Sequence, residues 1–207
     1  MSLLLASLTI EKTTKEKTMF RAAMRLTLIA ALALMVGLAG AAAAKNTPAR
    51  GKGIPPELAP PASAVLLFEL GARGVQIYAC EATSADPAAF AWTFKAPEAE
   101  LLNARGEVVG SHFGGPTWQG HDGSAVVAAV LARADAPNPK KAIPWLLLEA
   151  KSHSGSGVFA TITHIQRLDT VGGVAPKKGC DAAHAGEVAR VPYRATYAFF
   201  YPAETVA

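Results

Sequence analysis

The chain has 207 residues, enough for one domain with a well-buried core. Apolar residues make up 51% and charged residues 17%, and the formal charge is +4. Residues 1–44 hold five Lys/Arg and two Glu, so 20 less 5 leaves 15 basic and 16 less 2 leaves 14 acidic groups beyond them, a net charge of about +1. A nucleic-acid or anionic-membrane partner requires a concentrated basic face. None is visible.

The leader reads as a secretory signal. Residues 26–38 are almost wholly apolar, Arg21 and Arg25 precede them, and Ala42-Ala43-Ala44 follows. That order of basic, apolar and small residues predicts cleavage after Ala44, with no stable membrane anchor afterwards. A spanning anchor needs about 20 strongly apolar residues, and here the run dilutes into Gly and Ala after Leu38. Residues 1–18 are either a long n-region or lie upstream of a true start at Met19 or Met24. Export to a periplasmic or extracellular compartment follows. There an even pair of cysteines, Cys80 and Cys180, reads as a disulfide, against two free thiols or a shared metal.

Residues 45–64 are a Pro-rich approach predicted to run extended. A single β-domain over 65–202 follows. Runs 65–70 and 75–80 around G-A-R-G predict a hairpin, with Gln76, Tyr78 and Cys80 on one face of the second run. Trp92 and Phe94 mark a further strand. Leu101-Leu102, the turn N-A-R-G and residues 107–113 make another hairpin that delivers His112.

Residues 110–124, G-S-H-F-G-G-P-T-W-Q-G-H-D-G-S, hold two His, a Trp, an Asp, a Pro and five of the 18 Gly. Such backbone turns sharply or takes positive φ, and irregular backbone carrying polar and aromatic groups is the usual material of a binding surface. The ligand-binding candidates are His112, Trp118, His121 and Asp122, with Trp118 placed on a loop. Residues 124–134 fit a helix by their Ala content or a strand by their place after Asp122-Gly123. The reading here is strand.

Residues 145–148, W-L-L-L, predict a strand buried on both faces. Residues 157–168 predict a long strand with Val158, Ile162, His164 and Gln166 on one face and Phe159, Ile165 and Arg167 on the other. The last strand aligns Val191, Tyr193, Tyr197, Phe199 and Tyr201. About eight strands with turn signals and no strand–helix alternation predict an all-β, mainly antiparallel, single-domain sandwich or barrel.

Several motifs in order resemble one family: G-V-Q-I-Y-A-C, H-F-G-G-P-T-W with D-G-S, I-P-W-L-L-L, I-Q-R-L-D-T-V-G-G-V-A-P and V-P-Y-R-A-T-Y-A-F-F-Y. They are similar to the exported bacterial and fungal proteins grouped as domain of unknown function 3455, over residues 54–202. The resemblance implies secretion, one compact domain, paired cysteines and a strand after Asp122-Gly123. It implies no activity and no catalytic residues. Some fungal members carry a malate dehydrogenase label, and residues 155–160, G-S-G-V-F-A, formally fit G-x-G-x-x-A. A dinucleotide fingerprint needs a helix after that turn, and β-rich residues follow, so no such cofactor is expected.

The remaining chemistry is weakly signalled. His112, His121 and Asp122, completed by His153 or His164, are weak metal candidates that match no recognised spacing. Ser111 or Ser124 beside His112 or His121 would need triad geometry, and no G-x-S-x-G is present. Trp118, Trp145, Tyr78 and the row Tyr193/Tyr197/Tyr201 are either ring-stacking groups or core. Arg167 with Gln166 binds a carboxylate ligand or pairs with an acidic side chain. The function expected is a secreted binding module for an unknown small molecule, using 110–124 and no cofactor. A metal-dependent extracytoplasmic enzyme using His112 and His121, and a structural envelope component, are the alternatives.

Overall fold

The computed structural model describes residues 53–203; the segment expected to be a signal, with cleavage after Ala44, and the start of the Pro-rich approach lie outside the described residues. Eight strands run β1 (Ala64–Ala82), β2 (Phe90–Leu102), β3 (Val108–Phe113), β4 (Thr117–Gly120), β5 (Ala125–Ala134), β6 (Trp145–Ser154), β7 (His164–Gly172) and β8 (Val188–Pro202). Each pairs antiparallel with its sequence neighbour, and β1 closes on β8, so the sheet is one barrel without free edges. Of the two architectures expected, barrel is the one adopted. The strand expected after Asp122-Gly123 is β5.

Alternation along the strands decides what lies inside. Phe68, Leu70, Ala72, Ala99, Leu101, Val126, Leu146, Leu148, Ile165, Tyr197 and Phe199 fill the interior. An outer layer covers one side. There Leu58, from the 3-10 turn Pro56–Leu58, packs with Trp145, Leu147 and Leu168, and the Gln166 amide donates to the Leu58 carbonyl at 2.6 Å. That cover explains why residues 145–148 are buried on both faces. It also corrects the expectation of an extended approach, because Pro56–Leu58 turns so that Leu58 can bury itself against β6 and β7.

Two strand boundaries differ from the sequence reading. The G-A-R-G segment makes no hairpin, and β1 continues through it for 19 residues. Gly74 keeps ordinary extended backbone. A Cβ there would meet the Glu98 carbonyl oxygen at 2.1 Å, so its role is the close approach of β2. The second difference is at residues 157–163, which form a turn rather than the start of β7. This turn drives Phe159 into one end of the barrel, where its ring meets Phe68 at 5.8 Å and Phe199 at 5.1 Å. The face pattern expected for Val158 and Ile162 is lost with the strand.

At the other end of β1, Cys80 and Cys180 are bonded, with Cα atoms 5.3 Å apart. The bond ties the β7–β8 connection to β1 beside Tyr78, whose hydroxyl donates to the Gly173 carbonyl at 2.6 Å. The bridge closes a loop of 100 residues. On the chain-entropy model such a loop is worth about 4.7 kcal/mol, and measured losses run to about 2–5 kcal/mol. Reduction, or the double change Cys80→Ala with Cys180→Ala, is expected to lower unfolding free energy by that range in urea titrations. Unchanged midpoints would show that the bond adds nothing to stability.

Candidate functional site

The stretch 110–124 divides into two turns at opposite ends of the short strand β4. The 114–116 turn joins β3 to β4 at one end of the barrel, and residues 121–124 join β4 to β5 at the other. His112 and Trp118 are register partners near the first turn. Both point inward, 2% and 1% exposed, with their rings stacked at 4.3 Å. The loop position expected for Trp118 is therefore corrected. The Gly and Pro residues serve a three-residue turn, and β4 resumes at Thr117.

His121 and Asp122 lie elsewhere. His121 is exposed and donates its backbone N–H to Val109, three residues along β3 from His112. Asp122 is a latch: one carboxylate oxygen accepts from the Ser124 hydroxyl at 2.7 Å and its amide at 2.9 Å, and the other accepts from Val158 N–H at 2.9 Å. Those bonds hold its carboxyl below the ordinary carboxylate range. Ser124, fully buried, accepts in turn from Phe159 N–H at 3.2 Å. Asp122 and Ser124 thus fasten the segment that plugs this end. Gly157 has no room for a side chain, since a Cβ would meet the Asp122 carboxylate at 2.2 Å.

The candidate metal and nucleophile sets are not assembled. His112 and His121 sit at different ends of β4. His153 donates to the Ile162 carbonyl at 2.7 Å, and His164 contacts the Thr163 hydroxyl at 3.1 Å. Among the described residues, no group of three or more His, Cys, Asp or Glu is placed to hold a metal ion. Ser111 faces outward and Ser124 is engaged in the latch. No helix follows residues 155–160, where a dinucleotide fingerprint would require one.

The unplugged end is hollow. A cavity of about 610 Å³ is lined by His112, Trp118 and the 114–116 turn on one side. Gln76, Tyr78, Tyr197 and Arg167 line it as well, with Ile143, Leu146 and Leu148 supplying apolar wall. Phe94, Val130, Lys95 and Arg133 form the exposed rim. Lys95 is ion-paired with Glu81 at 2.6 Å. Arg167 reaches in from β7 and donates twice to the Pro144 carbonyl, at 2.9 and 3.2 Å. Gln166, its neighbour in sequence, faces the outer layer, so the two do not act together. Tyr78 and Arg167 are among the groups the sequence offers for ring stacking and for carboxylate binding, whereas Gln76 escapes a linear reading, because barrel closure is what brings β1, β7 and β8 to one chamber.

His112 is neutral in this setting. Burial lowers its pKa from 6.5 to about 3, although Nδ1–H donates to the Thr117 carbonyl at 2.8 Å. Burial also raises the phenols of Tyr193 and Tyr197, with Arg167 acting in the opposite sense on both.

Trp118→Ala removes a fully buried ring and is expected to cost about 3–5 kcal/mol, read as a large fall in melting temperature. His112 makes stability depend on pH. Between pH 6.5 and about 3 the unfolded chain protonates this ring while the folded barrel does not. Stability is therefore complete above pH 6.5 and falls on acidification by about 1.4 kcal/mol per pH unit from this residue. In His112→Gln the slope between pH 6 and 4 is expected to be shallower by one proton, whatever that variant's stability at pH 7. Comparison with the parent separates it from His164, also lowered by burial, and from exposed His184, raised by Asp181. Equal slopes would place His112 in water.

No curated protein and no solved structure matches this chain. A family profile matches residues 61–201, from just before β1 almost to the end of β8 and well over half of the sequence. The chain accordingly belongs to the family described as protein of unknown function (DUF3455).

Proposed function

We propose that the protein is an exported binding module that holds a small molecule in the open half of the barrel. The observation that carries this reading is the chamber of about 610 Å³, walled by His112, Trp118 and the 114–116 turn, at the end of the barrel opposite Phe159. That volume is typical of small-molecule sites, as is an apolar wall set with a few polar groups. The lining holds no Asp, Glu, Ser, Thr or Cys, and its one histidine is kept neutral by burial with Nδ1–H engaged on Thr117, which favours binding over nucleophilic chemistry. Export is supported by the disulfide, and among the described residues no helix is long and apolar enough to cross a membrane.

The neutral fluorophore N-phenyl-1-naphthylamine is expected to gain fluorescence on titration with the protein. Val130→Trp, at the exposed rim, should weaken that binding at least about tenfold by narrowing the mouth, while melting temperature changes little. Equal binding by the variant would place the probe elsewhere. Absence of binding by the parent protein would favour a structural envelope role.

A further inference from the structure

Four buried polar atoms in the chamber wall or next to it are all able to donate. Gln76 Nε2, Trp118 Nε1, and the hydroxyls of Tyr193 and Tyr197 are buried without a hydrogen-bond partner. All four residues are 2% exposed or less. The Tyr193 and Tyr197 phenols and Gln76 lie close enough to perturb one another, yet none reaches bonding geometry. Every one of these atoms is able to donate, and the indole and amide nitrogens do nothing else. A fifth unpartnered donor, Trp145 Nε1, belongs to the outer layer and is not part of the chamber. Orphaned buried donors cost about 1–3 kcal/mol each, so three in the chamber wall, Gln76, Trp118 and Tyr197, with Tyr193 beside them, ask for an acceptor.

Charge points the same way. Arg167 stands among these donors, and its field is felt by Tyr78, His112, Tyr193 and Tyr197 together. Its well-formed hydrogen bonds run to a neutral carbonyl, that of Pro144, and it lies close enough to the Tyr197 hydroxyl to act on that phenol without reaching bonding geometry. The other charged side chains of the lining, Lys95 and Arg133, are cationic and lie at the rim. Arg133 is placed to draw an anion towards the mouth, whereas Lys95 already answers Glu81. The remaining wall is apolar: Pro97, Ile143, Leu146 and Leu148.

We infer that the ligand is a small organic acid with one anionic group and an apolar body, its anion held by Arg167 together with the unpartnered Gln76, Trp118 and tyrosine donors. This rests on the binding reading above and names its ligand class. One interior guanidinium suits a single negative charge, and the apolar wall has nothing to offer inorganic phosphate. The four orphans belong to β1, β4 and β8, and Arg167 to β7, so an acceptor at their centre would complete four strands at once.

The test titrates the full folded domain with matched pairs, 1-naphthoate against 1-naphthamide and decanoate against decanamide, followed by displacement of N-phenyl-1-naphthylamine. Each acid is expected to bind at least about tenfold more tightly than its amide, as a charge-assisted bond does over a neutral one. In Arg167→Met that preference should fall below about twofold with amide affinity retained, and Arg167→Lys should restore part of it. Inorganic phosphate at millimolar concentration should displace nothing. If amides bind as well as acids to the parent protein, the chamber is a binding site but the anion inference is wrong. If neither class binds, and the neutral fluorophore does not bind either, the chamber reading fails with it. If phosphate competes as well as 1-naphthoate, the apolar body is no part of recognition and the ligand class stated here is overturned. Should Arg167→Met fail to fold, the acid–amide ratio of the parent protein decides alone.

Discussion

Pairing of β1 with β8 turns a row of antiparallel strands into a tube, and the interior owes its character to that seam. Its ladder runs from Ala64 opposite Pro202 to Ala79 opposite Val188, interrupted by one irregularity near Leu66. Without it, Phe68, Leu70, Tyr197 and Phe199 would line one face of an open sheet, with their apolar surface in water. With it, they bury one another and leave no strand edge for another chain to extend. The seam also sets Gln76 and Tyr78 of β1 beside Tyr193 and Tyr197 of β8. Apolar burial and the polar chamber thus depend on the same backbone bonds.

The two ends of the tube have different chemistry. At one, Asp122 and Ser124 satisfy the backbone of an incoming turn, and Phe159 fills the space. The Asp122 carboxylate and the Ser124 hydroxyl there have partners inside the fold. At the other, donors from several strands remain without acceptors, around a volume that no side chain fills. Proteins rarely tolerate such groups in number, and those that persist tend to mark places where something else completes the bonding. The contrast within one barrel is between an end filled by Phe159 and an end left open.

Much of this was legible in the linear chain. Alternation placed Tyr193, Tyr197 and Phe199 on one face of the last strand, and the N-A-R-G turn delivered His112 where it is found. The double burial of residues 145–148 was legible too, although the cover comes from Leu58, over eighty residues away in the chain. The errors came where one residue type serves two purposes. Gly71 and Gly74 resemble turn residues but lie within a continuous strand, where Gly74 permits the close approach of β2. Thr161, Ile162 and Thr163 have strand propensity, yet the buried Phe159, fastened to Ser124, and the bond from Val158 to Asp122 override it. Trp118 looked loop-borne because Gly and Pro surround it, although the turn needs only three of those positions. The chamber itself was hidden, since its donors lie on β1, β4, β7 and β8 and no local pattern connects them.

The Cys80–Cys180 bond bears on the order in which such a barrel can assemble. Joining the first strand to the last ordinarily means closing a loop of more than a hundred residues, and topologies rich in such distant pairings fold slowly. Once the two cysteines are linked, only a short connection separates Cys180 from Val188, where β8 begins. Ala79 and Val188, the innermost partners of the seam, are then near neighbours along the cross-linked chain. From there the ladder can grow outward towards Ala64 and Pro202 as a hairpin does, one pair after another. The covalent bridge thereby makes the most distant pairing of the fold effectively local.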